Sequence, residues 1–294
     1  MSTHETEIPQ INSPCAVQAD EVISNKEQKL SALLRDMASV IVAYSGGVDS
    51  SYLAYVATRE LGHNAICITG ESASLPSAQR EMLRTIGEQF SLNHELIETN
   101  ELDNANYVAN DGSRCYFCKD ELYSRLSTIA ERRGVAFIVD GSTLDDVGDY
   151  RPGRVAAAEH AVRSPLIEAG MTKSDVRQLS ARAGLPTWDQ PASPCLSSRI
   201  AYGLPVTIER LSEVDHGEQI LRELGFKEFR VRHHDNLVRL EIARAEMPRA
   251  LNIEIVDELG RRFRELGFKY VTFDLNGFRS GAMNEALPPT TSEA

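Results

Sequence analysis

Ser45-Gly46-Gly47-Val48-Asp49-Ser50-Ser51 is the segment of this chain best suited to hold phosphate. Its glycines let the backbone turn tightly and bring N–H groups close to an anion. Ser45, Ser50 and Ser51 add hydroxyl donors, and a helix starting here adds unpaired amides and a positive partial charge. No lysine follows the glycines, so this is not the loop that grips a terminal phosphate. Asp49 repels phosphate unless a cation intervenes, which points to Mg2+. An ordinary Gly-Gly turn is the competing reading, and the three serines with the aspartate count against it.

Sulfur is the second resource. Arg114-Cys115-Tyr116-Phe117-Cys118-Lys119 opens a helical stretch in which two thiols three positions apart can face one metal. A helix N-terminus flanked by Arg114 and Lys119 is expected to favour thiolates. Cys195 lies in Pro191-Ala192-Ser193-Pro194-Cys195-Leu196-Ser197-Ser198-Arg199, a poor place for a core residue and a suitable one for a nucleophile or ligand. Four readings of the pair stay open. Structural zinc wants four ligands, and Cys67 in a strand with Cys15 in a tail leaves the fourth missing. A thioredoxin-type dithiol needs another fold context. The others are two unrelated surface cysteines, and an iron–sulfur cluster on Cys115, Cys118 and Cys195 with one iron open.

Charged residues form the third group. Asp140-Gly141-Ser142-Thr143-Leu144-Asp145-Asp146 follows a strand and offers Asp140, Asp145 and Asp146 to Mg2+ or substrate, with a solvated acidic loop as the alternative. Arg151 belongs to a turn, and Arg199 to the Cys195 loop; both are grouped with the nucleotide site. Alternation puts Arg230 and Arg232 on one side of a strand, with Arg279 in a later loop. Paired guanidinium groups suit phosphate or carboxylate. A solvated strand face with surface ion pairs is the alternative.

The elements that must position these residues follow from hydrophobic patterning. Apolar runs at 39–44, 64–69, 94–98 and 136–139 read as strands, and 27–37, 78–90 and 119–132 as helices, with another after Ser51. That alternation implies an α/β fold with a parallel sheet covered on both faces. Thr172 and Asp175 have capping-box spacing for a helix to about Ala183. Residues 186–199, with three prolines, read as an irregular loop. Leu221-Arg222-Glu223-Leu224-Gly225-Phe226-Lys227 recurs as Phe263-Arg264-Glu265-Leu266-Gly267-Phe268-Lys269, marking two helix ends in a small C-terminal α+β domain. The expected division is a disordered tail at 1–25, a nucleotide-binding domain at 26–203, the small domain at 204–284 and a second tail at 285–294.

The chain has 294 residues and a formal charge of −12, which disfavours extended contact with RNA or DNA. It has no apolar run of membrane-spanning length and no signal-like start, and is expected in the cytoplasm. Five cysteines without an export signal argue against a disulfide scaffold.

The Ser45–Ser51 string resembles the signature of the ATP-pyrophosphatase (PP-loop) family, whose members split ATP into AMP and pyrophosphate. Joined with Arg114–Lys119, Asp140–Gly153, Pro191–Arg199 and Asp274–Glu285, it makes the chain resemble the LarE family of sulfurtransferases over about Glu27 to Glu285. That family makes the pincer ligand of the nickel cofactor of lactate racemase. The resemblance implies a small-molecule nucleotide substrate, pyridinium-3,5-biscarboxylic acid mononucleotide, adenylated by ATP with Mg2+ and then sulfurated. It implies that Cys195 is central and that Arg230, Arg232 and Arg279 bind the substrate phosphate in a homo-oligomer. One branch of the family sacrifices a cysteine matching Cys195. The presence of Cys115 and Cys118 places this chain nearer the branch with a [4Fe–4S] cluster. An RNA thiolase and an amide-forming synthetase are the rival readings; the charge opposes the first, and the lack of an evident ammonia source opposes the second.

Overall fold

The computed structural model describes residues 14–148, 152–191 and 194–279, with side chains from Asp20 onward. Arg151 and both chain ends lie outside the described residues.

Helix α1 (Pro14–Met37) leads into strand β1 (Val40–Ala43), all four of whose residues are buried. Helix α2 (Val48–Leu61), strand β2 (Ala65–Glu71), helix α3 (Ser77–Gln89) and strand β3 (His94–Glu98) follow. Short α4 (Ala105–Val108) and long α5 (Arg114–Arg133) then precede strand β4 (Phe137–Val139). The strands are parallel in the order β3-β2-β1-β4. The α/β reading holds. Continuous apolar strands are what a sheet covered on both faces requires, and β1 is packed on two sides by separate apolar clusters. β2 and β3 are added on one side of β1 and β4 on the other, so the carboxyl ends of β1 and β4 flank a crevice at this switch of strand order.

The tail expected through residue 25 is instead helical from Pro14. Its partners are remote in sequence: Lys26 pairs with Asp175 at 2.6 Å, Arg182 reaches Asp20, and Ile23 enters the core. After β4 come α6 (Pro152–Glu159), α7 (Pro165–Glu168) and α8 (Lys173–Arg182), the last opened by the expected Thr172–Asp175 capping box.

The C-terminal part is α9 (Ile208–Glu223), β5 (Phe229–His234), β6 (Leu237–Ile242), α10 (Met247–Ala250), α11 (Ile253–Glu265) and β7 (Tyr270–Phe273). It forms a sheet in the order β5-β6-β7, antiparallel then parallel. The internal repeat has a structural counterpart. Phe226 N–H bonds Leu221 C=O at 3.0 Å and Phe268 N–H bonds Phe263 C=O at 3.2 Å, each beside a glycine with positive φ. All four side chains enter one core.

Between the two sheets lies a smaller apolar cluster of Tyr107, Leu196, Ile200, Val206, Leu211 and Val214. It fastens the Cys195 segment to α4, the start of α5, and α9.

Candidate active site

Ser45 follows β1 at the crevice and is exposed. Gly46 has φ +70°, and a Cβ there would stand 2.7 Å from Gln79 Nε2 and from Leu83. Gly141, after β4, approaches so closely that a Cβ would lie 2.8 Å from Ser50 N. Gln79 donates to Ser45 C=O at 2.8 Å, and the Ser45 and Ser50 hydroxyls are 3.0 Å apart. Gly47 occupies the N-cap of α2 without a side-chain cap, so the first-turn amides open onto the loop. Ser51 departs from expectation. It is fully buried with its hydroxyl beside the Tyr44 phenol, because the helical turn carries it to the face opposite the crevice.

Burial pushes the Asp49 carboxyl up to about 6; Lys173 and Arg177 pull it down, while Asp146 and Asp145 push it further up. The acidic loop therefore does lie beside Asp49. Its carboxylates also hold local structure. Asp140 accepts from Ser142 N–H at 3.1 Å and from the hydroxyls of Ser142 and Ser164 at 2.9 and 2.7 Å. Asp146 caps its own turn through Thr143 and accepts from Lys173 Nζ at 3.0 Å, and Asp145 accepts from Lys173 N–H at 2.6 Å. Asp140 and Asp146 are buried, so the loop is not a solvated acidic surface. Asp145 is exposed.

Cys115 and Cys118 lie in the first turns of α5, and Cys195 acts electrostatically on both. Desolvation and then Cys195 raise both thiols above their ordinary values; Arg114 and Lys119 lower the first without reversing it, and Lys119 does not reverse the second. Both thiols are therefore shifted away from the thiolate character that the flanking cations were expected to confer. For Cys115 and Cys118 desolvation weighs first and the neighbouring Cys195 adds to it, against the pull of the flanking cations. Among the described residues no three His, Cys, Asp or Glu side chains converge tightly enough for a single metal ion. Cys67 is buried in β2, with its thiol pushed up to about 12 by burial.

The Cys195 segment is tied on every side. Leu196 N–H bonds Ser74 C=O at 2.9 Å, Tyr107 and Ser197 hydroxyls meet at 2.5 Å, and Arg114 donates to Ser197 C=O at 3.0 Å. Arg232 donates to Ser198 C=O at 3.1 Å, and Ala201 N–H bonds His233 C=O at 3.0 Å. Arg199 points into the protein, pairing with Glu218 at 2.8 Å and donating to Cys195 C=O at 3.0 Å. Arg199, grouped by sequence with the nucleotide site, is thus engaged by Glu218 and anchors the loop.

Arg230 and Arg232 share one strand face, as alternation requires, but that face is buried rather than solvated. Burial, then the charges of Arg199 and Arg232, pushes Arg230 down to about 10, opposed by Glu218 and Glu241. Arg199 and Arg222 on Glu218, Arg232 and Arg239 on Glu241, and Arg230 beside them leave this patch with an excess of positive charge suited to an anion. Phe278 lies under Arg230, 4.8 Å from guanidinium carbon to ring centroid, while the following Arg279 is exposed. Sequence reasoning missed Gln79, Gly141, Lys173 and Glu218. Each acts through a partner on another element, and only the Gly141 string and the α8 capping box offered a local signal.

A glycine–serine loop at the switch point of a parallel sheet, with Cys195 on a neighbouring loop and Cys115 and Cys118 on α5, is the arrangement expected of a PP-loop nucleotide-using sulfurtransferase. No family model matches the chain. It is 42% identical over 266 residues to an uncharacterized protein of Synechocystis sp., covering 90% of this chain and 99% of the relative. It is 36% identical over 266 residues to the pyridinium-3,5-bisthiocarboxylic acid mononucleotide synthase of Lactiplantibacillus plantarum, covering 90% and 96%. A GMP synthase of Geobacillus kaustophilus is 29% identical over 203 residues, covering 63% and 39%. The chain belongs to the pyridinium-3,5-bisthiocarboxylic acid mononucleotide synthase family of ATP-dependent sulfurtransferases, as its resemblance implied. No described helix is long and apolar enough to cross a membrane.

Proposed function

We propose that this chain adenylates a carboxylate of pyridinium-3,5-biscarboxylic acid mononucleotide and replaces AMP with sulfur at that carbon. A carboxylate is a poor electrophile because its leaving group is oxide. Attack of a carboxylate oxygen on the α-phosphorus expels pyrophosphate and installs AMP, a good leaving group. A sulfur nucleophile then attacks the acyl carbon, and AMP departs with the C–O electron pair. Sulfur must be held close and water kept away, since water would consume the adenylate.

In this reading Ser45, Gly46, Gly47 and Ser50 cradle the phosphates, and Asp49 carries Mg2+ with the acidic loop. One or two carboxylates completed by phosphate oxygens are an ordinary Mg2+ shell. Arg230 and Arg232, with Arg279, take the substrate phosphate. The observation that carries the reading is that a single segment bonds to Arg114, beside Cys115, at Ser197 and to Arg232 at Ser198, with Cys195 two residues before Ser197. The sulfur and the buried anion site therefore share one rigid support.

The mutual influence of Cys115, Cys118 and Cys195, with Arg114 and Lys119 beside them, suits an anionic cluster wider than one ion. A [4Fe–4S] cluster on these three cysteines would supply an iron without a protein ligand, where a transferable sulfide can reside. The same proposal includes a boundary near residues 203 and 204, a homo-oligomer and a cytoplasmic location.

The deciding experiment is single turnover with ATP and the biscarboxylated mononucleotide, using anaerobic protein assayed for iron. Cys195→Ala should release pyrophosphate and form adenylate but no thiocarboxylate; full sulfur transfer by that variant refutes the role of Cys195. In the parent, an unchanged protein mass supports a cluster-borne donor, and loss of hydrogen sulfide at Cys195 supports sacrifice.

A further inference from the structure

Asn110 lies in the link from α4 to α5 and is fully buried, with each of its polar groups engaged. Its Oδ1 accepts from Arg114, and its Nδ2 donates to Ala201 C=O at 2.9 Å and Leu204 C=O at 2.8 Å. In the main chain Asn110 N–H bonds Tyr107 C=O at 3.2 Å, and Gly203 N–H bonds Asn110 C=O at 3.1 Å. A guanidinium offers only donors and a carbonyl only acceptors, so one amide side chain answers both and its orientation is fixed. Its φ of +56° is a conformation that asparagine enters more readily than most residues.

These bonds close on both sides of the Cys195 turn. Arg114, held by Asn110, donates to Ser197 C=O at 3.0 Å, two residues after Cys195, and is followed in the chain by Cys115. Asn110 itself grips Ala201 and Leu204, just past Arg199, and Val206 N–H bonds Val108 C=O at 2.9 Å. The Leu196–Arg199 turn is thus clasped at both ends from the segment that opens α5. Without the asparagine side chain, a buried guanidinium is one acceptor short and two carbonyls lose their donor.

We propose that Asn110 is a positioning residue for sulfur transfer: through Arg114 and the 201–204 turn it sets the distance between Cys195 and the thiols of α5. The inference rests on the sulfur chemistry proposed above. Among the described residues none of its hydrogen-bond partners belongs to the phosphate loop, so adenylation should not depend on it.

The test compares the parent with two variants. Asn110→Gly accepts the left-handed backbone and removes the side chain. Asn110→Asp keeps an acceptor for Arg114 but sets oxygen against the carbonyls of Ala201 and Leu204. With ATP and the biscarboxylated mononucleotide, both should release pyrophosphate at the parent's rate, which also shows that they fold. Sulfur transfer should fall about 100-fold, the cost of a roughly 1 Å misplacement, with the half-saturating mononucleotide concentration unchanged. Equal loss of both steps, or parental sulfur transfer in either variant, overturns the assignment. A second readout needs no turnover. The full chain, freed of metal by a chelator, is treated with dibromobimane, which joins two nearby thiols, and the Cys115–Cys195 bridged peptide is quantified by mass. Its yield should fall severalfold in both variants; an unchanged yield, or no such bridge in the parent, overturns the proposal. If the parent forms no thiocarboxylate, the function proposed above falls, and the bridging yield alone decides the role of Asn110.

Discussion

At Asp49 the folded chain holds a proton that the unfolded chain releases, because burial raises its carboxyl from 3.8 to about 6. Its folded pKa exceeds the unfolded one, so this contribution to stability is fully present below 3.8 and is lost as the pH rises through about 6. At neutral pH the ionised group is a liability that Lys173 and Arg177 offset in part and a bound cation would relieve further. Asp49→Asn is therefore expected to raise the thermal midpoint at pH 8 while abolishing Mg2+-dependent pyrophosphate release. Calorimetric melts at pH 4 and 8 check it; an equal shift at both would show that burial is not the cause. The type of Asp49 and its place among serines were readable in the sequence. Its neighbours Lys173 and Arg177 were not, since they arrive from a helix more than 120 residues away.

The elements that deliver those neighbours depend on their ends. In the capping box of α8, Thr172 Oγ1 accepts from Asp175 N–H at 3.2 Å, and Asp175 accepts from Thr172 N–H at 2.8 Å and from Lys26 at 2.6 Å. Thr172→Ala should cost about 1 kcal/mol, measured by urea denaturation. Because Lys173 follows directly, nucleotide affinity should fall with it, and unchanged affinity would separate the cap from the site. This box was legible because capping is a local matter of four residues. The first turns of α1 were not, because Lys26, Asp20 and Ile23 are satisfied only by contacts that the fold supplies.

Across the whole molecule, the buried pair of Arg199 and Glu218 joins the Cys195 segment to α9, with Arg222 also on Glu218 at 3.1 Å. Glu218→Ala leaves the Arg199 charge buried without its carboxylate, a change that costs roughly 3–5 kcal/mol. The variant should lose stability by that order in denaturant melts and lose sulfur transfer more than adenylation, because the thiol segment loses its anchor. Equal loss of both steps would place Glu218 outside this role. Arg199 sits four residues from Cys195, and that proximity alone suggested a nucleotide contact. The sequence holds no sign that a glutamate nineteen residues further on takes it inward.

The sequence by itself determined the chemistry on offer: a loop of glycine, serine and aspartate after a buried strand, two thiols at helical spacing, and two arginines in strand alternation. These are short-range patterns, set by backbone geometry within a few residues. Which of those groups face one another was decided only by tertiary structure. Ser51 turned into the core, Arg199 turned onto Glu218, and burial with neighbouring charge raised the Cys115 and Cys118 thiols. Each outcome depends on burial and on charges brought close by chain segments far apart, and neither exists until the two sheets pack around the Cys195 segment.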